Sequence, residues 1–290
     1  MVGLHDYKKE NLGKNKSNIK IGYQGVKGSF SEEAMIEFFG ENENEVSYDK
    51  FEDVFMALEK NEIDYGILPF ENSCTGAITA VYDLLSKYGF YIVGEECIKI
   101  KQNLVGIKGS KLEDIEEVYS HPQGFEQSKN FLKNNENLKL IYFYNTAISA
   151  KHVSDLNDKS KAAIASERAA KIYGLDLIEK GINDNESNNT KFVIISKKLE
   201  LSNNCNKMTV TFSLDNKAGT LYNLLKNFAQ NQINMVKIES RPSSSRLWEY
   251  VLYVDFEGNI KDENVRNAIS IIEGKSKYFK LLGCYKKKEI

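Results

Sequence analysis

The sequence lacks an excess of charge of either sign, its 39 basic and 41 acidic side chains leaving a formal net charge of -2 over 290 residues. That balance excludes the basic footprint of a nucleic-acid binder and the acidic excess of a disordered tail, and leaves a small molecule as the expected partner. Long apolar runs are missing too. None approaches the ~20 residues that a membrane-spanning helix requires, and the amino terminus has no apolar stretch of signal-peptide type, so the chain is expected in the cytoplasm. Cysteine is sparse and scattered. Cys74, Cys97, Cys205 and Cys284 show neither CxxC spacing nor a neighbouring histidine cluster. No zinc site or thioredoxin-like motif can be drawn from them, and free, mostly packed thiols are expected.

What is present is alternation. Residues 1–18 are polar and read as a loose arm. From Ile19 short apolar runs alternate with segments of helical period: a strand at Ile19–Tyr23 and a helix from Glu32 to Phe39, then a strand at Tyr65–Pro69 and a helix from Ala77 to Lys87. The pattern continues through Tyr91–Val93, Ile98–Ile107, Glu117–Ser120, a helix reaching Phe131, Lys139–Tyr144, a helix at Ala147–Val153, Ala162–Ala165 and a helix ending near Gly174, and Phe192–Ser196 closes it. Such alternation predicts an α/β domain with a mostly parallel sheet. Residues 198–207 read as a polar linker. After it, strands at Met208–Leu214, Asn234–Ser240, Trp248–Phe256 and Tyr278–Cys284 enclose helices at Gly219–Gln230 and Asp262–Ile272, the βαββαβ order of ferredoxin-like modules.

Helix starts are legible. Ser31 precedes two glutamates, Pro122 follows Ser120-His121, Thr146 precedes Ala147, and Ser166 precedes Glu167. In open α/β sheets such N-termini gather at the carboxyl ends of strands, where their free N–H groups suit carboxylates. Each one alone is adequately explained as a cap; the set points to a site. Three segments carry polar groups at these places: the glycine-rich Gly22–Ser31 loop, which is not a GxGxxG dinucleotide fingerprint; Glu71-Asn72-Ser73 after a strand; and Ser120-His121-Pro122-Gln123 with Gln127. His121 reads equally as a helix cap and as a group titrating near neutrality. Thr190-Lys191-Phe192 enters the last strand of the large domain.

In this order and spacing, these motifs, with Asp83-Leu84-Leu85, Thr146-Ala147, Ala163–Ser166 and Tyr173-Gly174-Leu175, resemble the prephenate dehydratases over residues 20–285. The C-terminal module resembles an ACT domain, with Glu239-Ser240-Arg241-Pro242 matching a phenylalanine-site motif. The resemblance implies a catalytic domain over residues 19–197, two lobes in the type 2 periplasmic-binding-protein arrangement. Lobe 1 would be 19–95 plus 177–197, lobe 2 96–176, and the ACT domain 208–285. It implies decarboxylation and dehydration of prephenate to phenylpyruvate without cofactor or metal. Thr190 would donate to the departing hydroxyl, with Glu71 or His121 supplying a proton. Ser29, Ser31, Asn72, Ser73, Ser120 and Gln127 would anchor the pyruvyl group, and Lys191 and Phe192 would complete the substrate site.

Two departures from the family pattern stand out: Lys191 replaces the usual arginine, and Ala218-Gly219-Thr220-Leu221 replaces Pro-Gly-Ala-Leu. Phenylalanine is the implied effector, held by Gly219, Leu221, Glu239, Ser240, Arg241 and Pro242 in a homodimer or homotetramer. The 18-residue arm is too short for a chorismate mutase segment, so a monofunctional protein is expected. Arogenate dehydratase and a non-catalytic binding protein are the alternatives.

Overall fold

A computed structural model describes residues 19–41, 44–201, 204–243 and 248–289; the expected arm at 1–18 lies outside the described residues. The chain begins with β1 (Ile21–Gln24), α1 (Phe30–Phe39), β2 (Glu45–Tyr48), α2 (Phe51–Glu59), β3 (Tyr65–Asn72), β4 (Gly76–Ala77), α3 (Thr79–Tyr88) and β5 (Tyr91–Lys99). A second group follows: β6 (Asn103–Gly106), β7 (Glu117–Ser120), α4 (Pro122–Glu126), α5 (Lys129–Lys133), β8 (Lys139–Tyr142), α6 (Thr146–Leu156), β9 (Lys161–Ala165), α7 (Glu167–Ile172) and β10 (Asp176–Glu179). Then β11 (Asn189–Ser196) returns to the first group. The C-terminal unit is β12 (Lys207–Ser213), α8 (Thr220–Gln230), β13 (Met235–Pro242), β14 (Tyr250–Glu257), α9 (Glu263–Lys275) and β15 (Tyr278–Tyr285).

Three sheets result. The first has the order β2-β1-β3-β11-β5 with β4 beside β3, the second β10-β6-β9-β7-β8, and the third, wholly antiparallel, β13-β14-β12-β15. In the first sheet β1 pairs in parallel with β2 and β3, whereas β11 is inserted antiparallel between β3 and β5. The inserted strand is buried from Phe192 to Ser196, as expected for a strand covered on both faces.

Two strands of chain connect the first and second sheets. Residues expected to form one strand, Ile98–Ile107, are instead broken between β5 and β6, and the segment 100–102 crosses. The return crossing falls later than the boundary expected at 177, because Leu177 still pairs with Val105 in the second sheet. The crossings hold each other: Ile182 N–H donates to the Gln102 carbonyl, and Ile100 N–H to the Asn188 carbonyl. Asn183 ties them further, accepting from Gln102 N–H at 2.6 Å and donating to the Ile100 carbonyl at 3.0 Å. The helix expected to reach Phe131 is two short helices, α4 and α5.

Antiparallel pairing of β12 with β15 sets Met208 opposite Cys284, which brings Cys205 alongside. The expectation of free thiols is corrected at this pair: Cys205 and Cys284 form a disulfide across 79 residues with their Cα atoms 5.6 Å apart. Cys74 and Cys97 are free. Among the described residues no helix is long and apolar enough to cross a membrane.

The C-terminal unit shares its core with the first sheet, Tyr253, Leu282 and Tyr285 packing among Phe55, Tyr82 and Ile92. β15 crosses β5 so closely that a Cβ on Gly283 would sit 2.0 Å from the Ile92 carbonyl oxygen. Beside that crossing, Lys207 is buried between Glu95 at 2.6 Å and Asp255 at 3.0 Å. Desolvation opposes its charge, and Tyr285, Asp255 and Glu95 together outweigh it and hold the ammonium above its ordinary pKa. Lys207→Met strands two buried carboxylates, so chemical denaturation should show a loss of about 3–5 kcal/mol. An unchanged midpoint would mean the triad contributes nothing to the junction.

Candidate active site

Between the first and second sheets lies a cavity of about 330 Å³. Strand pairing builds its first wall. β11 sets Thr190 directly opposite Asn72 of β3, and because side chains alternate along a strand, Thr190 and Phe192 reach the cavity while Lys191 does not. The Asn72 carboxamide is used at both ends. Its oxygen accepts from the N–H groups of Cys74 and Thr75 at 2.9 and 3.0 Å, an Asx turn that closes the chain after β3. Its nitrogen donates to Asn188 Oδ1 at 2.7 Å and to Thr190 Oγ1 at 2.9 Å. A hydroxyl has one proton and two lone pairs. With Asn72 occupying a lone pair, the Thr190 proton is left for the cavity.

Helix starts build the rest. Ser29 caps α1, accepting from Glu32 N–H at 3.3 Å, and Ser31 lies in the first turn. Across the cavity Asn145 caps α6, accepting from Ile148 N–H at 2.7 Å. His121 caps α4 with Nδ1 accepting from Gln123 N–H at 3.2 Å. That bond requires an unprotonated Nδ1, which assigns the ring proton to Nε2. Burial pushes the His121 pKa down, so the ring is neutral at pH 7. Gln127 accepts at 3.1 Å from Gln102 of the crossing. None of the lining residues is a lysine, arginine, aspartate or glutamate. The cavity therefore meets an anion with hydroxyls, amides and two helix N-termini rather than with cations.

Of the expected site residues, Ser29, Ser31, Asn72, His121, Gln127, Thr190 and Phe192 line the cavity. Four do not. Ser120 is fully buried, with Oγ 3.4 Å from the Ile164 carbonyl it donates to. Ser73 accepts from Asn189 N–H and donates to the Ser187 carbonyl, pinning the approach to β11. Glu71 and Lys191 face away from the cavity: the Glu71 carboxylate pairs with Lys191 at 3.7 Å and with Lys237 of β13 at 3.3 Å. Sequence reasoning also missed Gln102, Phe51, Ile78, Tyr144 and Asn145 in the lining; only Asn145, one residue before the recognised Thr146, carried a capping signal. Among the described residues no group of three or more His, Cys, Asp or Glu is placed to hold a metal ion.

In the C-terminal unit Gly219 caps α8 in the left-handed region at φ 80°, and Leu221 is exposed. Glu239, Ser240, Arg241 and Pro242 lie on β13, the edge strand of the third sheet. The Arg241 guanidinium forks onto Asp83 of α3, with bonds of 3.1 and 2.8 Å.

A family model described as prephenate dehydratase matches residues 21–200. An arogenate dehydratase/prephenate dehydratase of Arabidopsis thaliana is 35% identical over 285 residues, covering 93% of this chain and 72% of the relative. A bifunctional chorismate mutase/prephenate dehydratase of Aquifex aeolicus is 34% identical over 270 residues, covering 93% and 74%. Among solved structures, the prephenate dehydratase of Arthrobacter aurescens in complex with L-Phe superposes with a TM-score of 0.85 at 26% identity, covering 93% of this chain and 90% of that one.

The lowered pKa of His121 carries a sign. The unfolded ring, near 6.5, takes up its proton before the folded one, so stability falls as pH drops below about 6.5 and levels off beneath the folded value. His121→Asn keeps a capping acceptor without titrating. Its denaturation midpoint should lack that acid-side decline, and a decline identical to wild type would remove His121 as its source.

Proposed function

This chain belongs to the prephenate dehydratase family, and on that premise we propose that its cavity converts prephenate to phenylpyruvate with loss of carbon dioxide and water. The observation that carries the reading is the Asn72–Thr190 bond, which aims a hydroxyl proton into an uncharged cavity. Prephenate carries a carboxylate and a pyruvyl arm on one ring carbon and a hydroxyl on the opposite one. Breaking the carbon–carboxylate bond sends its electron pair through the ring to expel the hydroxyl, and aromaticity supplies most of the drive. Hydroxide is a poor leaving group, so a donor at that oxygen matters most. Thr190 donates there, Asn72 keeps its lone pair engaged, and the departing oxygen takes its proton from solvent or through the neutral Nε2–H of His121.

The substrate is a dianion, and the cavity treats its two charges differently. The pyruvyl carboxylate suits the N-termini of α1 and α6, ten- and eleven-residue helices whose dipoles favour an anion. The carboxylate that is lost meets no lysine or arginine in the lining. A cation there would stabilise the ground state more than a transition state in which that charge is dispersing.

The finer organisation belongs to the same proposal. The first and second sheets act as the two lobes of a periplasmic-binding-protein-like catalytic domain in the cytoplasm, with the ligand between them. The C-terminal βαββαβ unit acts as an ACT domain that senses phenylalanine at Gly219, Leu221 and the Glu239–Pro242 segment. The β13 edge supports association in pairs, since Val236 and Ile238 are 41% and 47% exposed beside its unpaired backbone.

Purified protein supplied with prephenate should form phenylpyruvate, read by its absorbance in alkali, with arogenate run in parallel. Turnover of neither substrate would overturn the reading. Thr190→Ala should lower kcat by roughly 10²–10⁴-fold while KM changes little; a near-normal rate would take the donor role from Thr190. Phenylalanine should inhibit and raise the sedimentation coefficient, and a rate and profile indifferent to it would refute the sensor.

A further inference from the structure

One cation of the C-terminal unit reaches the catalytic strands without touching the cavity. Lys237 of β13 is 12% exposed, and its ammonium lies 3.3 Å from the Glu71 carboxylate. It also sits over two aromatic rings, 5.2 Å from the centroid of Phe70 and 5.1 Å from that of Tyr82. Those rings stack on each other at 4.0 Å, and Tyr82 is bound in turn to the C-terminal unit, its carbonyl accepting from Tyr253 Oη at 2.9 Å. A desolvated cation over aromatic faces is held strongly, and here the rings and the carboxylate converge on one nitrogen.

What that nitrogen grips is the end of β3. Phe70, Glu71 and Asn72 are consecutive, and Asn72 is the residue that orients Thr190. On the neighbouring strand Lys191, directly after Thr190, pairs with the same carboxylate at 3.7 Å. Four residues further along β13, Arg241 grips Asp83 of α3, the helix that follows β4. Residues 237 and 241 share one face of the strand by its period of two. Lys237 therefore clamps β13 to the strand that carries Asn72, and Arg241 clamps it to the helix that follows.

We propose that Lys237 is a positioning residue for the reaction: by fixing Glu71 it holds the Asn72 carboxamide in register with Thr190, so the C-terminal unit completes the rigidity of the active site. The inference rests on the dehydratase reading and adds a part to it. It also gives Glu71 a role that its position off the cavity wall otherwise denies it. Displacement of β13 loosens the Asn72–Thr190 alignment without altering any group that touches substrate, which lowers kcat more than it raises KM.

Lys237→Met keeps an apolar stem against the two rings and removes the charge; Glu71→Gln removes the partner and leaves the lysine in place. Each should lower kcat for prephenate on the order of tenfold with KM within about twofold. The double variant should lose no more than the worse single one, as expected of residues acting through one contact. Lys237→Arg should recover most of the rate. A folded Lys237→Met or Glu71→Gln with wild-type kcat overturns the proposal, as does a rise in KM alone or a double variant whose losses multiply. If Lys237→Met fails to fold, Glu71→Gln decides by the same criteria. A readout independent of turnover separates this proposal from the dehydratase reading: the side-chain amide resonances of Asn72, assigned by their absence in Asn72→Asp, should shift in Glu71→Gln. Unchanged Asn72 resonances would overturn the positioning role even in an active enzyme, and shifted ones would support it even if prephenate were not turned over.

Discussion

The hydrogen bond from the Asn72 carboxamide to Thr190 Oγ1 is the contact around which the rest of the molecule is arranged. It exists because β11, after the chain has built an entire second sheet, comes back and inserts between β3 and β5. That insertion joins residues 118 positions apart in sequence, and the crossing segments that bring it about are tied by Asn183 and by backbone bonds between 100–102 and 182–188. A single carboxamide then serves two ends. Its oxygen closes the turn after β3 and its nitrogen sets the direction of the Thr190 hydroxyl. The same residue is thus part of the fold's closure and, in the proposed reaction, of its chemistry, so turn geometry is converted into proton direction.

Around this bond the electrostatics are divided by strand alternation. The cavity face of β3 and β11 carries Asn72, Thr190 and Phe192, all uncharged; off that face Glu71 pairs with both Lys191 and Lys237. Helix N-termini supply positive potential to the cavity without a lysine or arginine in its lining. Charge is concentrated instead where the C-terminal unit docks. The Lys207 triad, the Lys237–Glu71 pair and the Arg241–Asp83 fork all join that unit to the catalytic part, and the aromatic core runs through the same junction. A unit packed this firmly can act on the catalytic part through strand position rather than through contact with the cavity.

Much of this was legible in the sequence. Strand–helix alternation announced the α/β catalytic part, and the βαββαβ order of the C-terminal unit was readable to within a few residues at each element. The cap of α7 was readable at Ser166, whereas α1 is capped by Ser29, two residues before the expected Ser31. β2 and α2 were not, for physical reasons. β2 is a half-exposed edge strand without an apolar run, and α2 starts at Lys50, whose N–H is capped from inside the helix by Asp53 rather than by a preceding hydroxyl. Within the site, Glu71-Asn72-Ser73 reads as one polar cluster, yet β3 continues to Asn72, so its neighbours point elsewhere. The Cys205–Cys284 disulfide was invisible because it depends on the register between β12 and β15, and the two cysteines stand 79 residues apart. Gln102 carries no motif; it is placed by the crossing itself.

The most direct test of the central claim is a kinetic cycle on Asn72 and Thr190. Asn72→Asp retains the acceptor oxygen for the turn N–H groups and removes the donor, so the Thr190 hydroxyl turns its proton toward the new carboxylate and away from substrate. The account predicts that Asn72→Asp and Thr190→Val each lose roughly 10²-fold or more in kcat for prephenate, and that the double variant loses little beyond either one. Near-normal turnover by Asn72→Asp, or losses that multiply in the double variant, would contradict it.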